Sequence, residues 1–276
     1  MRVMLVILVA ETKLRFSQLF ACKACTGGGD PHYLNENGEV VHFQGACKYI
    51  MAQYADSNNQ DMSFTVYTKN EHRGSSTSVS WARYVEIHVF NRVIRLDRDN
   101  RVYTSFGLVV ESSGGGNFGI FLSRRWRSEV TGPCITSVWG GNSVEFWRQW
   151  TVHDPEDPDC VGHVDIPDPV CPEDFQDALH SPQYCGLVTN EDEELFRECL
   201  QDMSESVQNF YRVSCTYDVC AYYSNVTDMK AAACANLHAL ATECADRGFL
   251  VDWRATANCR KLHHFHHFRM VAIATA

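Results

Sequence analysis

Nine of the thirteen cysteines fall between Cys160 and Cys259, and none lies between Cys47 and Cys134. That distribution divides the chain into two regions with different means of staying folded. The first is poor in cysteine and rich in Val, Ile, Phe, Tyr and Trp, so it must rely on a hydrophobic core. The second has a cysteine every ten to sixteen residues over most of its length, the pattern of a covalently stapled domain. A reducing cytosol would keep these thiols apart, whereas an extracellular protein gains stability by pairing them.

At 276 residues there is room for two domains, each able to bury a core. Charged residues make up 21% and hydrophobic ones 45%, a globular balance. A net charge of −10 with no long basic run argues against nucleic-acid binding. The acidic excess gathers from Asp154 to Asp174 and from Glu191 to Glu194, read as solvated loops in preference to calcium ligands. Met1-Arg2 and the apolar run Val3 to Ala10 suit the front of a secretory signal peptide and are too short to span a bilayer. No transmembrane segment is expected. Residues 1–21 are accordingly read as a signal peptide or an incomplete start.

From Val40 to about Trp150 short strands follow one another. They include Val40–Phe43, Tyr49–Met51, Phe64–Tyr67 and the alternating Tyr84–Val89, with turn signals at Asn37-Gly38, Ser57–Asn59, Asp97–Asn100 and Ser112–Asn117. This predicts a β-sandwich-like antiparallel sheet domain. The segment Gly114–Gly119 is expected as a loose hairpin connection, not a phosphate loop, because no helical pattern follows it. Five of the eight prolines lie between Pro155 and Pro172 among carboxylates, which places a Pro/Asp-rich linker at 161–180.

Beyond it the period becomes helical. Over Asp228–Arg247, Cys234, Leu237, Ala241 and Cys244 align on one face and Gly248 is placed to end the helix. Glu193–Leu200 and Ser204–Tyr211 are expected as shorter helices. The second region is therefore predicted as a small disulfide-rich α-helical domain.

Identity-bearing motifs begin at Cys25-Thr26-Gly27-Gly28-Gly29-Asp30-Pro31-His32-Tyr33, continue through Asn37-Gly38, and include Phe43-Gln44-Gly45-Ala46-Cys47-Lys48-Tyr49. Ser80-Trp81 and Trp150-Thr151-Val152 follow before Cys160. This series resembles a von Willebrand factor type D domain, over 22–160. Cys185-Gly186-Leu187, Phe196-Arg197-Glu198-Cys199, Cys215 to Cys220, Cys234, Cys244 and Trp253-Arg254 ahead of Cys259 resemble the eight-cysteine domain that commonly follows it, over 181–260. The order is typical of mucins and of zonadhesin-like, tectorin-like and BMP-binding endothelial regulator-like extracellular proteins.

The resemblance implies Cys25–Cys134 and Cys47–Cys160 disulfides. Each closes a loop worth about 4–5 kcal/mol in the chain-entropy model. Cys171, Cys185, Cys199, Cys215, Cys220, Cys234, Cys244 and Cys259 are expected to pair mostly among themselves, in a connectivity left open. Cys22 is the outlier, free or intermolecular. Tyr222 and Ala232 stand where many relatives carry cysteines, compatible with loss of one disulfide. The family's calcium loop corresponds to Gly132–Ser137, with Asn142 and Glu145 further on and Asn37 in place of an aspartate. Since Ile135 and Val138 offer no side-chain oxygen, calcium binding is expected to be weakened or lost. No other cofactor is expected.

Some mucin-type relatives cleave themselves at the bond matching Asp30-Pro31, where the aspartyl carboxyl can attack its own carbonyl carbon; a structural role for the motif is the preferred expectation. His32 is expected to be packed, not a general base. His263–His267 lies in a His-rich tail, 261–276, and is read as tail in preference to a zinc or copper site. No hydrolase, zinc-protease or phosphate-loop motif is present in the sequence, so a non-enzyme is expected. Asn225-Val226-Thr227 is the single N-glycosylation sequon. The functional expectation is a secreted structural or adhesive module of a matrix, mucus or coat glycoprotein, whose partners are extracellular proteins or copies of itself. A BMP-type growth-factor regulator ranks second and acid-triggered self-cleavage third.

Overall fold

The computed structural model describes residues 21–29, 31–58, 63–72, 79–97, 100–104, 106–114, 117–123, 126, 128–135, 146, 148–155, 157, 160 and 168–259. The expectations placed on 1–20, Asp30, Asn142, Glu145 and the His-rich tail lie outside the described residues. Two compact units result, one running to Val164 and the other starting at Asp165.

The first unit is two antiparallel sheets. One contains β1 (Ala21–Gly28), β2 (His32–Leu34), β3 (Val40–His42), β8 (Asn100–Tyr103), β9 (Leu108–Gly114) and β10 (Asn117–Ser123), in the order β3-β2-β1-β10-β9-β8. The other contains β4 (Lys48–Tyr54), β5 (Phe64–His72), β6 (Ser80–Val89), β7 (Arg92–Leu96) and β11 (Thr151–Val152), ordered β11-β4-β5-β6-β7. Period-2 alternation drives this: Phe64, Val66, Val85, Ile87 and Val89 are buried while Thr65, Tyr67, Glu86 and His88 face outward. Inward residues of both sheets, among them Met51, Val66, Ile87, Leu108, Val110 and Ile120, form one core. The antiparallel sheet domain read from the strand pattern is what the chain forms.

Two local expectations need correction. Strands β9 and β10 run up to Gly114 and from Asn117, pairing Asn117 with Gly114, so most of the Gly114–Gly119 segment is strand and not loose connection. The β6–β7 hairpin was not foreseen, because its two-residue turn is Phe90-Asn91, both in the left-handed region (φ 52° and 54°) without a glycine. Phe90 accepts that backbone while its ring packs on Phe106, 5.5 Å between centroids.

The second unit is helical. After a 3-10 turn at Glu173–Phe175 come α1 (Gln176–Leu179), α2 (Gly186–Thr189), α3 (Arg197–Gln201), α4 (Glu205–Ala221) and α5 (Val226–Arg247). Residues from Cys171 on thus belong to folded structure. The helix expected at Glu193–Leu200 starts only at Arg197, because Glu191-Asp192 and Leu195-Phe196 form turns, with Asn190 Oδ1 accepting from the Asp192 N–H. The one expected over Ser204–Tyr211 extends instead for 17 residues, its buried stripe continuing through Ser214, Cys215, Asp218 and Val219. In α5 the buried stripe is Met229, Ala233, Leu237, Leu240 and Cys244, so Cys234 and Ala241 sit at its edge. Gly248 ends α5 in the left-handed region at φ 98°.

Candidate functional site

The motif residues of the sheet unit converge on the middle of β5. Regular alternation would bury every second residue there, but a register shift between Lys69 and Asn70 leaves Thr68, Lys69 and Asn70 all buried. Tyr33, from the Gly-Asp-Pro-His-Tyr segment, donates its hydroxyl to Asn70 Oδ1 (3.2 Å) and accepts from Asn70 Nδ2 (3.0 Å). Thr68 Oγ1 donates to Asn70 Oδ1 at 3.3 Å. The Asn70 amide N–H donates to the Cys47 carbonyl at 2.9 Å. Lys69 Nζ donates to the Ala46 carbonyl (2.9 Å) and to Asp157 Oδ2 (2.6 Å). Asp157 lies three residues before Cys160, the partner of Cys47, so one buried lysine joins both ends of that disulfide loop.

The Phe-Gln-Gly-Ala-Cys-Lys-Tyr segment packs on itself. Phe43 and Tyr49 meet edge to face at 4.8 Å, and Gly45 lies beneath them. A Cβ at Gly45 would come within 2.1 Å of Tyr49 Oη and 2.7 Å of Phe43 Cζ, so only glycine fits. The Cys47 N–H donates to Tyr49 Oη at 3.3 Å, and Gln44 Oε1 accepts from the Ser80 N–H at 2.7 Å, tying the loop to the start of β6. Burial pushes both Tyr33 and Tyr49 hydroxyls well above the ordinary phenol range; hydrogen bonds from Asn70 and Thr68 on Tyr33, and from Cys47 on Tyr49, only partly oppose it. These phenols stay protonated and serve as anchors.

His32 is fully buried, and its Nδ1 meets Nδ1 of His42 across β2 and β3, the rings 4.5 Å apart at 85°. That contact requires at least one neutral ring to accept. Pro31 is buried and its carbonyl accepts from the Phe43 N–H at 3.0 Å. Asn37 is exposed at the tip of the β2–β3 turn, and its N–H donates to Asn35 Oδ1. Among the described residues, no group of three or more His, Cys, Asp or Glu side chains is placed to hold a metal ion.

Six disulfides join twelve of the thirteen cysteines. Cys25 is bound to Cys134 and Cys47 to Cys160, with Cα atoms 5.0 and 4.3 Å apart. Gly132 (φ 130°) allows the first, since a Cβ there would strike the Met51 carbonyl oxygen at 2.4 Å, beside the Cys134 N–H bond to that same oxygen. In the helical unit the bridges are Cys171–Cys220, Cys185–Cys215, Cys199–Cys244 and Cys234–Cys259. The thirteenth, Cys22, stands on β1 opposite Leu122 of β10. Asn225 is exposed and is the N-cap of α5.

Motif reasoning found Tyr33, Gly45, Cys47 and Tyr49 but missed Thr68, Lys69, Asn70 and Asp157. A lysine and an asparagine in an otherwise apolar-alternating strand were the available signal. The assembled arrangement is a hydrogen-bonded anchor that ties Tyr33, Ala46, Cys47 and Asp157 to Thr68, Lys69 and Asn70.

Two family models match the chain: the von Willebrand factor type D domain over residues 25–115 and the C8 domain over 184–260. Zonadhesin of Homo sapiens is 25% identical over 87% of the chain, and IgGFc-binding protein of Homo sapiens 27% over 85%. Alpha-tectorin of Gallus gallus is 28% identical over 76%. The chain spans 10%, 5% and 11% of these relatives' own lengths, respectively. The β5 anchor holds the motif segments of the first unit and four bridges bind the second, so the chain carries, in this order, a segment that matches the von Willebrand factor type D domain and one that matches the C8 domain.

Proposed function

We propose that this chain is an extracellular structural and adhesive module that works through surface contacts with other extracellular proteins or with its own copies, and not by catalysis. The observation that carries the reading is the set of six disulfides spread over both units. Most of these cysteines are buried, so reduction would leave cores held by far less, and the bridged state is the one that an oxidising compartment maintains. The relatives support it: one is named for binding IgG Fc, and none of the three names describes a reaction. Among the described residues, no helix is long and apolar enough to cross a membrane.

Assembly through Cys22, weakened calcium binding and an intact Asp30-Pro31 bond belong to the same proposal. The test is to direct the full chain into the secretory pathway and weigh the recovered protein with and without reduction before thiol alkylation. Twelve cysteines protected until reduction, or thirteen where Cys22 links two chains, is the expected result. Predominantly free thiols in soluble, folded protein would overturn the reading. Non-reducing electrophoresis of the same material shows whether Cys22 links two chains, and calorimetry with calcium is expected to show affinity weaker than micromolar.

A further inference from the structure

Large apolar side chains that stand well exposed are few among the described residues: Val93, Val170, Tyr223, Val226 and Leu250. Singly, such residues are ordinary surface. Two of them, however, flank Asn225, the acceptor of the chain's only sequon, at positions −2 and +1. We propose that Asn225 carries an N-linked glycan whose first N-acetylglucosamine packs on Tyr223, while the modified amide continues to cap α5. This rests on the extracellular reading, since the modification requires the secretory route.

The geometry separates the two jobs of the Asn225 side chain. Its Oδ1 accepts from the N–H groups of Thr227 (3.0 Å) and Asp228 (3.4 Å), which is the cap. Its Nδ2 donates to Asp228 Oδ2 at 2.7 Å. Glycosylation uses Nδ2 alone. A bond forms from Nδ2 to C1 of the sugar as the C1–oxygen bond of a polyprenyl-pyrophosphate-linked oligosaccharide donor breaks; Nδ2 gives up one proton and the polyprenyl pyrophosphate leaves. The amide keeps its carbonyl oxygen and one N–H, so capping survives. Because Asp228 engages Nδ2 and Val226 already begins the helix, transfer precedes closure of the first turn of α5.

Tyr223 is held ready for the sugar. Its ring meets Phe175 edge to face at 5.3 Å, and Phe175 meets Tyr184 at 5.2 Å, yet 38% of Tyr223 remains exposed. The C–H-bearing face of N-acetylglucosamine is complementary to the electron-rich face of a phenol ring. Val226, next to Asn225 in the chain, is 63% exposed.

The experiment uses the full chain secreted from a eukaryotic cell line. PNGase F treatment is expected to lower the intact mass by one glycan and convert Asn225 to aspartate. Thr227→Ala, which keeps the backbone donors of the cap, is expected to abolish that shift. Since aspartate also caps but meets Asp228 as a second carboxylate, the part of the Tm fall on glycan removal that Tyr223→Ala erases reads the sugar contact on Tyr223. Secreted, disulfide-bonded protein with no PNGase F shift would overturn the proposal and leave the extracellular reading standing. An equal Tm loss in wild type and Tyr223→Ala would overturn the packing on Tyr223. Free thiols in the secreted product would instead overturn the extracellular reading itself.

Discussion

The two units solve the same stability problem with different means. Of the eleven largest fully buried side chains among the described residues, seven lie in the sheet unit: Phe43, Tyr49, Met51, Ile87, Leu108, Ile120 and Leu122. The helical unit has only Leu187, Phe196, Leu237 and Leu240, yet it holds four of the six disulfides. Burying a large apolar side chain contributes about 1.5–3 kcal/mol. Closing loops of 25 to 49 residues contributes about 3.5–4 kcal/mol per bridge in the chain-entropy model. The helical unit thus draws on restriction of its unfolded chain where the sheet unit draws on burial.

Full reduction should break this contrast most visibly. Four bridges amount to about 15 kcal/mol in that model, at least the whole net stability of an ordinary domain. We expect reduction and alkylation to abolish the helical circular dichroism of the second unit, while part of the sheet signal persists. Loss of both signals together would show that the sheet unit leans on its two bridges as heavily.

Next in size are changes to the sheet core. Ile87→Ala or Leu108→Ala is expected to cost about 2–5 kcal/mol, read as a drop in the denaturation midpoint of the sheet unit alone. Below that stands the β5 anchor. Asn70→Ala leaves the buried Tyr33 hydroxyl without both of its Asn70 bonds, an expected loss of about 1–3 kcal/mol. A midpoint unchanged within 0.5 kcal/mol, roughly the scatter of surface substitutions, would remove the anchor's importance.

In the helical unit a single turn residue should matter less. Gly248→Ala forces a Cβ into the left-handed region, with nothing within 4 Å of that Cβ to clash. The cost is conformational only, about 1–2 kcal/mol, measurable by thermal unfolding.

The smallest effect concerns Glu86 on the outer face of β6. Burial disfavours its charge, but hydrogen bonds from Lys48 and His88 outweigh this and hold the carboxyl below its ordinary range. A lowered folded-state value means the stabilisation is present above the unfolded carboxylate range and is lost as pH falls through the folded value. Glu86→Gln is therefore expected to lower stability at neutral pH and flatten its decline in acid. An acid limb of the same slope in both proteins would contradict this.

The comparison also explains what could be read in advance. Strands such as Tyr84–Val89 were legible because one face of a sheet must be apolar and the period is two. The end of α5 was legible in Gly248, since few residues other than glycine accept its backbone without strain. The β6–β7 turn was hidden because Phe90 and Asn91 take a glycine-like conformation, with Phe90 packed on Phe106. The length of α4 was hidden as well, because its buried stripe includes Ser214 and Asp218; the Asp218 carboxylate accepts from Asn236 of α5 at 2.7 Å. Polar side chains at core positions defeat a pattern built on hydrophobicity.

By itself the sequence determined the two-part architecture, the strand and helix periods and the motif series, because these follow from local sterics and from which side chains avoid water. Tertiary structure decided the helical unit's four bridges, the bulge that buries Thr68, Lys69 and Asn70, and the meeting of Tyr33, Ala46, Cys47 and Asp157 around them. Those partners are tens of residues apart in the chain. Which of many possible pairings forms depends on the packing that brings these buried polar groups and all the bridges into bonding distance together.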